Sequence, residues 1–166
     1  MGVRRVVSGQ DASGKSIIVS DEVIDPVGLT VPIWREDETA SFPRDGSLPP
    51  VSRFFPGPGG SRFIIMTFPA AGQDIPHSKP GEIDAKVGTG IGDVMEPGSD
   101  GFHTTDTIDY EVVLSGEISI ELDNGIVKHL KAGDCFIQNG TRHRWFNLGD
   151  VPAVVAVVLV GGHPRT

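Results

Sequence analysis

"TIDYEVVLSGEISIELDNGIVKHLKAGDCFIQNGTRHRWFN", residues 107–147, is the stretch whose reading decides the fold. It breaks into short runs rich in Val, Ile, Thr and aromatic residues, each closed by Gly, Asn or Asp. That is the pattern of strands joined by tight turns. Asn124-Gly125, flanked by alternating residues, is the strongest of these turn signals and sets a hairpin. In "EISIEL", 117–122, alternation puts Ile118, Ile120 and Leu122 on one face and Glu117, Ser119 and Glu121 on the other. Strands this short and this regularly spaced predict an all-β sandwich or barrel.

Working outward, "PAVVAVVLV" at 152–160 is apolar on both faces. A strand of that kind needs cover on both sides, from the N-terminal segment or from a second subunit. "SRFIIMTFP" at 61–69 is a further strand, and residues 70–100 are irregular apart from a short helix expected within 80–96. Residues 1–60 read as an N-terminal extension, made of a hairpin, an extended segment near "LTVPIWRE" and a Pro-rich connection. Residues 61–166 form the barrel.

"GQDASGKS" at 9–16 fits the phosphate-loop pattern, which works only when a helix follows the loop. Here Ile17, Ile18 and Val19 follow, a β-branched run that favours a strand. The segment is a hairpin loop and nucleotide binding is rejected. With 22 acidic against 14 basic residues and a net charge of −8, the chain is a poor partner for nucleic acid or a membrane surface. The lone Cys135 forms no internal disulfide, and "MGVRRVVSGQ" carries no export signal, so a cytoplasmic, soluble protein is expected. Cys135 itself reads as a small buried strand residue.

Five histidines are present, and two stand out. His103 enters the strand of "GFHTTDTIDYEVVLSGE", where residues 103, 105, 107 and 109 share one side. His103, Thr105 and Asp109 therefore face the interior together, and Glu111 shares their parity while Tyr110 points away. His143 opens another strand after a turn at Gly140. Two imidazoles and one carboxylate suit a divalent transition metal. Asp106, on the turn before the strand, is the alternative carboxylate. Glu111 is a candidate base, and Arg142 or Arg144 a candidate for orienting a substrate carboxylate. His129 reads as solvated, His163 as uninvolved, and His77 has no fixed place.

At these residues the sequence resembles the cupins, whose first motif is G-x5-H-x-H-x3–4-E-x6-G and whose second is G-x5-P-x-G-x2-H-x3-N. His103, Asp109 and Gly116 fall on the first motif, with Thr105 where a second histidine usually stands. Gly133, Gly140, His143 and Asn147 fall on the second, with Gln138 in place of the proline and one residue less after Gly133. The resemblance implies a jelly-roll barrel (a double-stranded β-helix) with an N-terminal β extension, a metal near one mouth, and a homodimer. The family's usual set of three histidines and a glutamate is reduced here to His103, Asp109 and His143. The resulting expectation is a small-molecule enzyme using Fe, Mn, Ni or Zn on an organic acid or carbonyl compound. A lyase or isomerase of oxo acids leads, and an Fe(II) dioxygenase or a non-catalytic binding module are the alternatives.

Overall fold

The structure is a computed structural model that describes residues 2–50, 52–74 and 82–164. His77 lies outside the described residues. A hairpin of β1 (Val3–Gln10) and β2 (Ser16–Ile24) comes first. Then follow β3 (Thr30–Glu36), β4 (Ser61–Phe68) and a short helix α1 (Glu82–Val87). The rest of the chain is β5 (Thr107–Ser115), β6 (Glu117–Leu122), β7 (Val127–Lys131), β8 (Cys135–Asn139), β9 (His143–Phe146) and β10 (Ala153–Gly161).

Two sheets carry the fold, a five-stranded one in the order β3-β4-β10-β5-β8 and a three-stranded one in the order β7-β6-β9. Their facing sides meet in one core, where Ile118 of β6 packs with Ile64, Val113, Val155, Val157 and Leu159 of the larger sheet. This is the all-β architecture that the short strands imply, in the jelly-roll form that the family resemblance implies. The strand of residues 30–36, read from sequence as part of the extension, joins the larger sheet as an edge by pairing with β4.

The apolar run of β10 divides its side chains as a strand must. Ala153, Val155, Val157 and Leu159 turn into the core. Val154 and Ala156 pack on the opposite side beneath Val31, Ile33 and Ile65, with Val3 and Ile24 of the hairpin adding cover. The chain's own N-terminal segment thus covers one half of the outer face. The other half stays bare: Ile108, Tyr110, Val112 and Leu114 of β5 and Ile137 of β8 are all exposed.

Cys135 belongs to that bare half and is exposed, against the expectation of a buried residue. The reason is its place at the start of β8, an edge strand whose outer face no other described segment covers. The phosphate-loop look-alike is a turn in which the Asp11 carboxylate accepts from Ser13 N–H, the Ser13 hydroxyl and Lys15 N–H, and β2 follows directly. At the β6–β7 turn Asn124 and Gly125 take φ of 60° and 70°, the left-handed pair that the Asn-Gly signal calls for.

Gly116, between β5 and β6, has φ +72°, and a Cβ there would stand 2.5 Å from the Pro152 carbonyl oxygen and 2.9 Å from Ala153 Cα. Gly116→Ala should therefore lower stability by about 2–4 kcal/mol, adding a backbone clash to left-handed strain. Gly14→Ala, at φ +80° in open space, should lose only about 1 kcal/mol. Denaturant midpoints of the two variants check the difference.

Candidate functional site

β5 builds one wall of the site by strict alternation. Thr107, Asp109, Glu111 and Val113 are buried while their neighbours face outward. Ahead of the strand the buried Thr105 hydroxyl lies 2.9 Å from that of Thr107. The inner face of β5 is thus a polar ladder, Thr105–Thr107–Asp109–Glu111, ending in the apolar core at Val113. Of the two carboxylates that sequence leaves open, Asp109 is the inward one and Asp106 is exposed.

Asp109 and Glu111 retain only 5% and 6% of their surface, and Asp109 Oδ1 and Glu111 Oε2 have no hydrogen-bond partner among the described residues. Across the sheet Asp109 is flanked by Leu159 and Gln138, and Glu111 by Val157 and Phe136. Such surroundings disfavour a charge. Burial raises the Asp109 carboxyl to about 6, with the Thr107 hydroxyl pulling the other way. Burial, and then the Asp109 charge, raise Glu111 to about 9. At neutral pH Glu111 is therefore a protonated donor, where sequence reading offers it as a base.

His103 and His143 are brought side by side by a backbone bridge. His103 N–H donates to the His143 carbonyl at 2.9 Å, and His143 N–H donates to that of His103 at 3.0 Å. Their ring centroids are 4.3 Å apart. His103 Nδ1 is 3.0 Å from the Gly101 carbonyl, and His143 Nδ1 is 2.9 Å from that of Thr141. A carbonyl only accepts, so each Nδ1 carries a proton, and in a neutral ring this leaves the Nε2 lone pair for a ligand. Burial pushes His143 down to about 4, with nearby His103 adding to the effect and the Thr141 bond opposing it, so its ring is neutral.

Gln138, which replaces the motif's proline, is fully buried and closes the turn leading to His143. Its amide oxygen accepts from Thr141 N–H at 2.9 Å and from the Thr141 hydroxyl at 2.8 Å, and its nitrogen donates to the Thr141 carbonyl at 3.2 Å. Sequence reading registers Gln138 only as a departure; a buried amide after a strand and before a Gly turn is the available signal. Trp145 sets its ring edge-on to His143 with centroids 6.4 Å apart.

Arg142 does not point to an open site. It donates to both Glu96 oxygens at 2.8 Å and to Asp123 at 3.0 Å, with its guanidinium 3.9 Å over the Phe102 ring. Arg144 pairs with Glu121 and Asp100 and lies 5.2 Å from the same ring. Together they fasten the loop that ends at His103 onto β9. Carboxylates of the chain already engage the charge that sequence reading assigns to a substrate.

The imidazole pair fits a borderline transition metal in donor type, tautomer and partial exclusion of water. Among the described residues, no group of three or more His, Cys, Asp or Glu stands together as a metal cage. The structure joins His103 with His143, and it couples Asp109 to Glu111 along β5.

Residues 93–160 match the Cupin domain family. Phomopsin biosynthesis cluster protein C' of Diaporthe leptostromiformis is 49% identical over 57 residues, 34% of this chain and 30% of that protein's length. A cupin-domain-containing oxidoreductase, fogC of Aspergillus ruber, is 25% identical over 161 residues, covering 95% of this chain and 72% of the relative. Among solved structures, a protein with a double-stranded β-helix domain from Klebsiella pneumoniae is 19% identical with a TM-score of 0.48, covering 84% of each chain. No helix among the described residues is long and apolar enough to cross a membrane.

Glu111 is an acid whose folded pKa stands above its unfolded value, so its stabilising contribution is full at low pH and is lost as pH rises toward about 9. Between its unfolded and folded values the native state holds one proton more than the unfolded chain. Glu111→Gln should remove that proton difference, flattening the fall in stability over this range by about 1.4 kcal/mol per pH unit. Urea denaturation of the metal-free protein at a series of pH values checks this.

Proposed function

Since the chain belongs to the cupin superfamily, we propose that it is a small-molecule enzyme of lyase or isomerase type, acting on an oxo acid or related carbonyl compound. The observation that supports this reading is the pair of buried carboxyls, each with an oxygen that no described residue satisfies. Their raised pKa values stand on either side of neutrality, at about 6 and about 9. That split divides the labour of acid–base catalysis between a base and an acid.

In this mechanism Asp109 Oδ1 takes the proton from the carbon beside the substrate carbonyl, breaking the C–H bond. The electron pair moves to the carbonyl oxygen, to which the Glu111 carboxyl donates its proton. Asp109 then returns its proton to another carbon while Glu111 recovers a proton from an enol hydroxyl, giving an isomer. Alternatively, Asp109 passes its proton to a β-hydroxyl, whose C–O bond breaks to release water as Glu111 recovers the enol proton, giving an α,β-unsaturated product. His103 and His143 would hold a divalent transition metal such as Fe, Mn, Ni or Zn through Nε2, since each ring's Nδ1 is engaged by a backbone carbonyl. When bound, such an ion polarises a substrate oxygen and makes the neighbouring C–H more acidic. The assignment of Asp109 to the base role ahead of metal ligation is supported by its charge acting on Glu111, with no group of three metal ligands standing together among the described residues.

A second reading, an Fe(II) dioxygenase, draws on the relatives named cupin-domain-containing oxidoreductases. Two neutral imidazoles and one carboxylate are the ligand types of oxygen-activating iron sites. Oxygen uptake separates the two readings.

The protein should be incubated in D₂O with a panel of oxo acids, with deuterium incorporation followed by NMR and metal content measured by elemental mass spectrometry. Asp109→Asn should slow exchange by about 10²–10⁴-fold with its metal retained, whereas His103→Ala and His143→Ala should lose the metal. Exchange unchanged in Asp109→Asn overturns the assignment of the base. Turnover that consumes O₂ establishes the dioxygenase, and ligand binding without exchange or turnover establishes a binding module.

A further inference from the structure

Gln138 stands between the two halves of the site. On β8 it lies directly opposite Asp109 of β5, so both side chains leave the sheet on its inner face, and Gln138 is fully buried. Its amide reaches past Gly140, where the chain turns at φ 61°, and holds Thr141 at three points. One of these points is the Thr141 carbonyl, which is also the partner of His143 Nδ1. A carbonyl oxygen has two lone pairs, and here the Gln138 amide and the His143 ring take one each.

We propose that Gln138 is a positioning residue: by fixing the Thr141 carbonyl it selects the tautomer and the flip state of the His143 ring, and so leaves Nε2 free for a ligand. The contacts of His143 single out this carbonyl. The rings of His103 and Trp145 pack beside it with centroids 4.3 Å and 6.4 Å away, and the bridge to His103 is made by backbone groups. Such packing hardly distinguishes the ring from the same ring turned over, because a flip keeps its outline and exchanges nitrogen for carbon. The Thr141 carbonyl does distinguish them, since it needs an N–H to accept from.

Thr141 is exposed and follows a glycine, so its peptide has wide conformational freedom unless something ties it down. Among the described residues its hydrogen bonds all run to Gln138 and His143. The amide is therefore the tie. A proline at position 138, which the family motif calls for, would stiffen the chain but has no amide to hold Thr141. The inference rests on the reading of His143 as a ligand-holding imidazole and adds what keeps that imidazole ready. His103 is the internal control, because its Nδ1 partner is the Gly101 carbonyl on a separate loop.

The imidazole nitrogens of the metal-free, ¹⁵N-labelled protein should be followed by two-bond ¹H–¹⁵N correlation at neutral pH, with His143 identified by the signals missing from His143→Gln. Wild type should show His143 as the Nδ1–H tautomer. Gln138→Met, similar in size but without the amide, should lower the ratio of Nδ1–H to Nε2–H at His143 by about tenfold, the worth of one ordinary hydrogen bond, with His103 unchanged. Thr141→Ala, at an exposed position, removes one of the three holds and should shift the ratio in the same direction, and Thr141→Ser should restore it. That pair covers the case in which Gln138→Met fails to fold. Zinc alone should bind about 10–100-fold more weakly to Gln138→Met than to wild type. A His143 tautomer unchanged in Gln138→Met and Thr141→Ala, or one that changes equally at His103, overturns the proposal. Wild-type protein that takes up no zinc, iron, manganese or nickel, with the tautomer still following Gln138, overturns the metal reading and leaves the positioning role standing.

Discussion

A carboxyl oxygen sealed from water with no hydrogen-bond partner costs roughly 1–3 kcal/mol, and this chain keeps two of them on one strand. The arrangement around them limits that cost. Glu111 is held neutral by its surroundings, so only Asp109 is left to carry a charge near neutrality. The threonines beside Asp109 grade the inner face from hydroxyl to carboxyl before the apolar core begins at Val113. A ligand that supplied the two missing partners would recover the loss on binding, which links the strand's instability to what it is built to hold.

The same strand period fixes both sides of the sheet. A one-residue slip of β5 would expose Asp109 and Glu111 and drive Tyr110 and Val112 into the core, so the pairing with β10 and β8 protects site and surface together. On one side of β5, β10 holds this register with bulky apolar residues such as Val157 and Leu159. Stability and chemistry are therefore set by one alignment and cannot be varied independently along β5.

Much of this was legible in the sequence because it depends on period and turn chemistry. The inward parity of Asp109 and Glu111, the Asn124-Gly125 turn and the strand after "GQDASGKS" all follow from local pattern. So does the nearness of His103 and His143, once the motif spacing is read. What stayed hidden depends on contacts between distant segments. Cys135 is exposed because β8 is an edge, which no local pattern states. Arg142 is engaged because Glu96 and Asp123 arrive from other loops. The coupling of Asp109 to its strand neighbour Glu111 was hidden as well. The strength of that coupling comes from burial, which spacing alone does not measure.

The Phe102 ring, close to the guanidiniums of both Arg142 and Arg144, has a consequence for how the molecule meets its solvent. The clasp is made of partly exposed ion pairs, and at physiological ionic strength charges are screened beyond about 8 Å. Dissolved ions compete for the same groups, so concentrated electrolyte slackens the clasp while the apolar core tightens. The imidazole of His103, carried on the clasped loop, then gains freedom that His143, seated on its strand beside Trp145, does not. Brine would in this way set the two rings apart in mobility, leaving one fixed jaw and one loose jaw at the mouth of the fold.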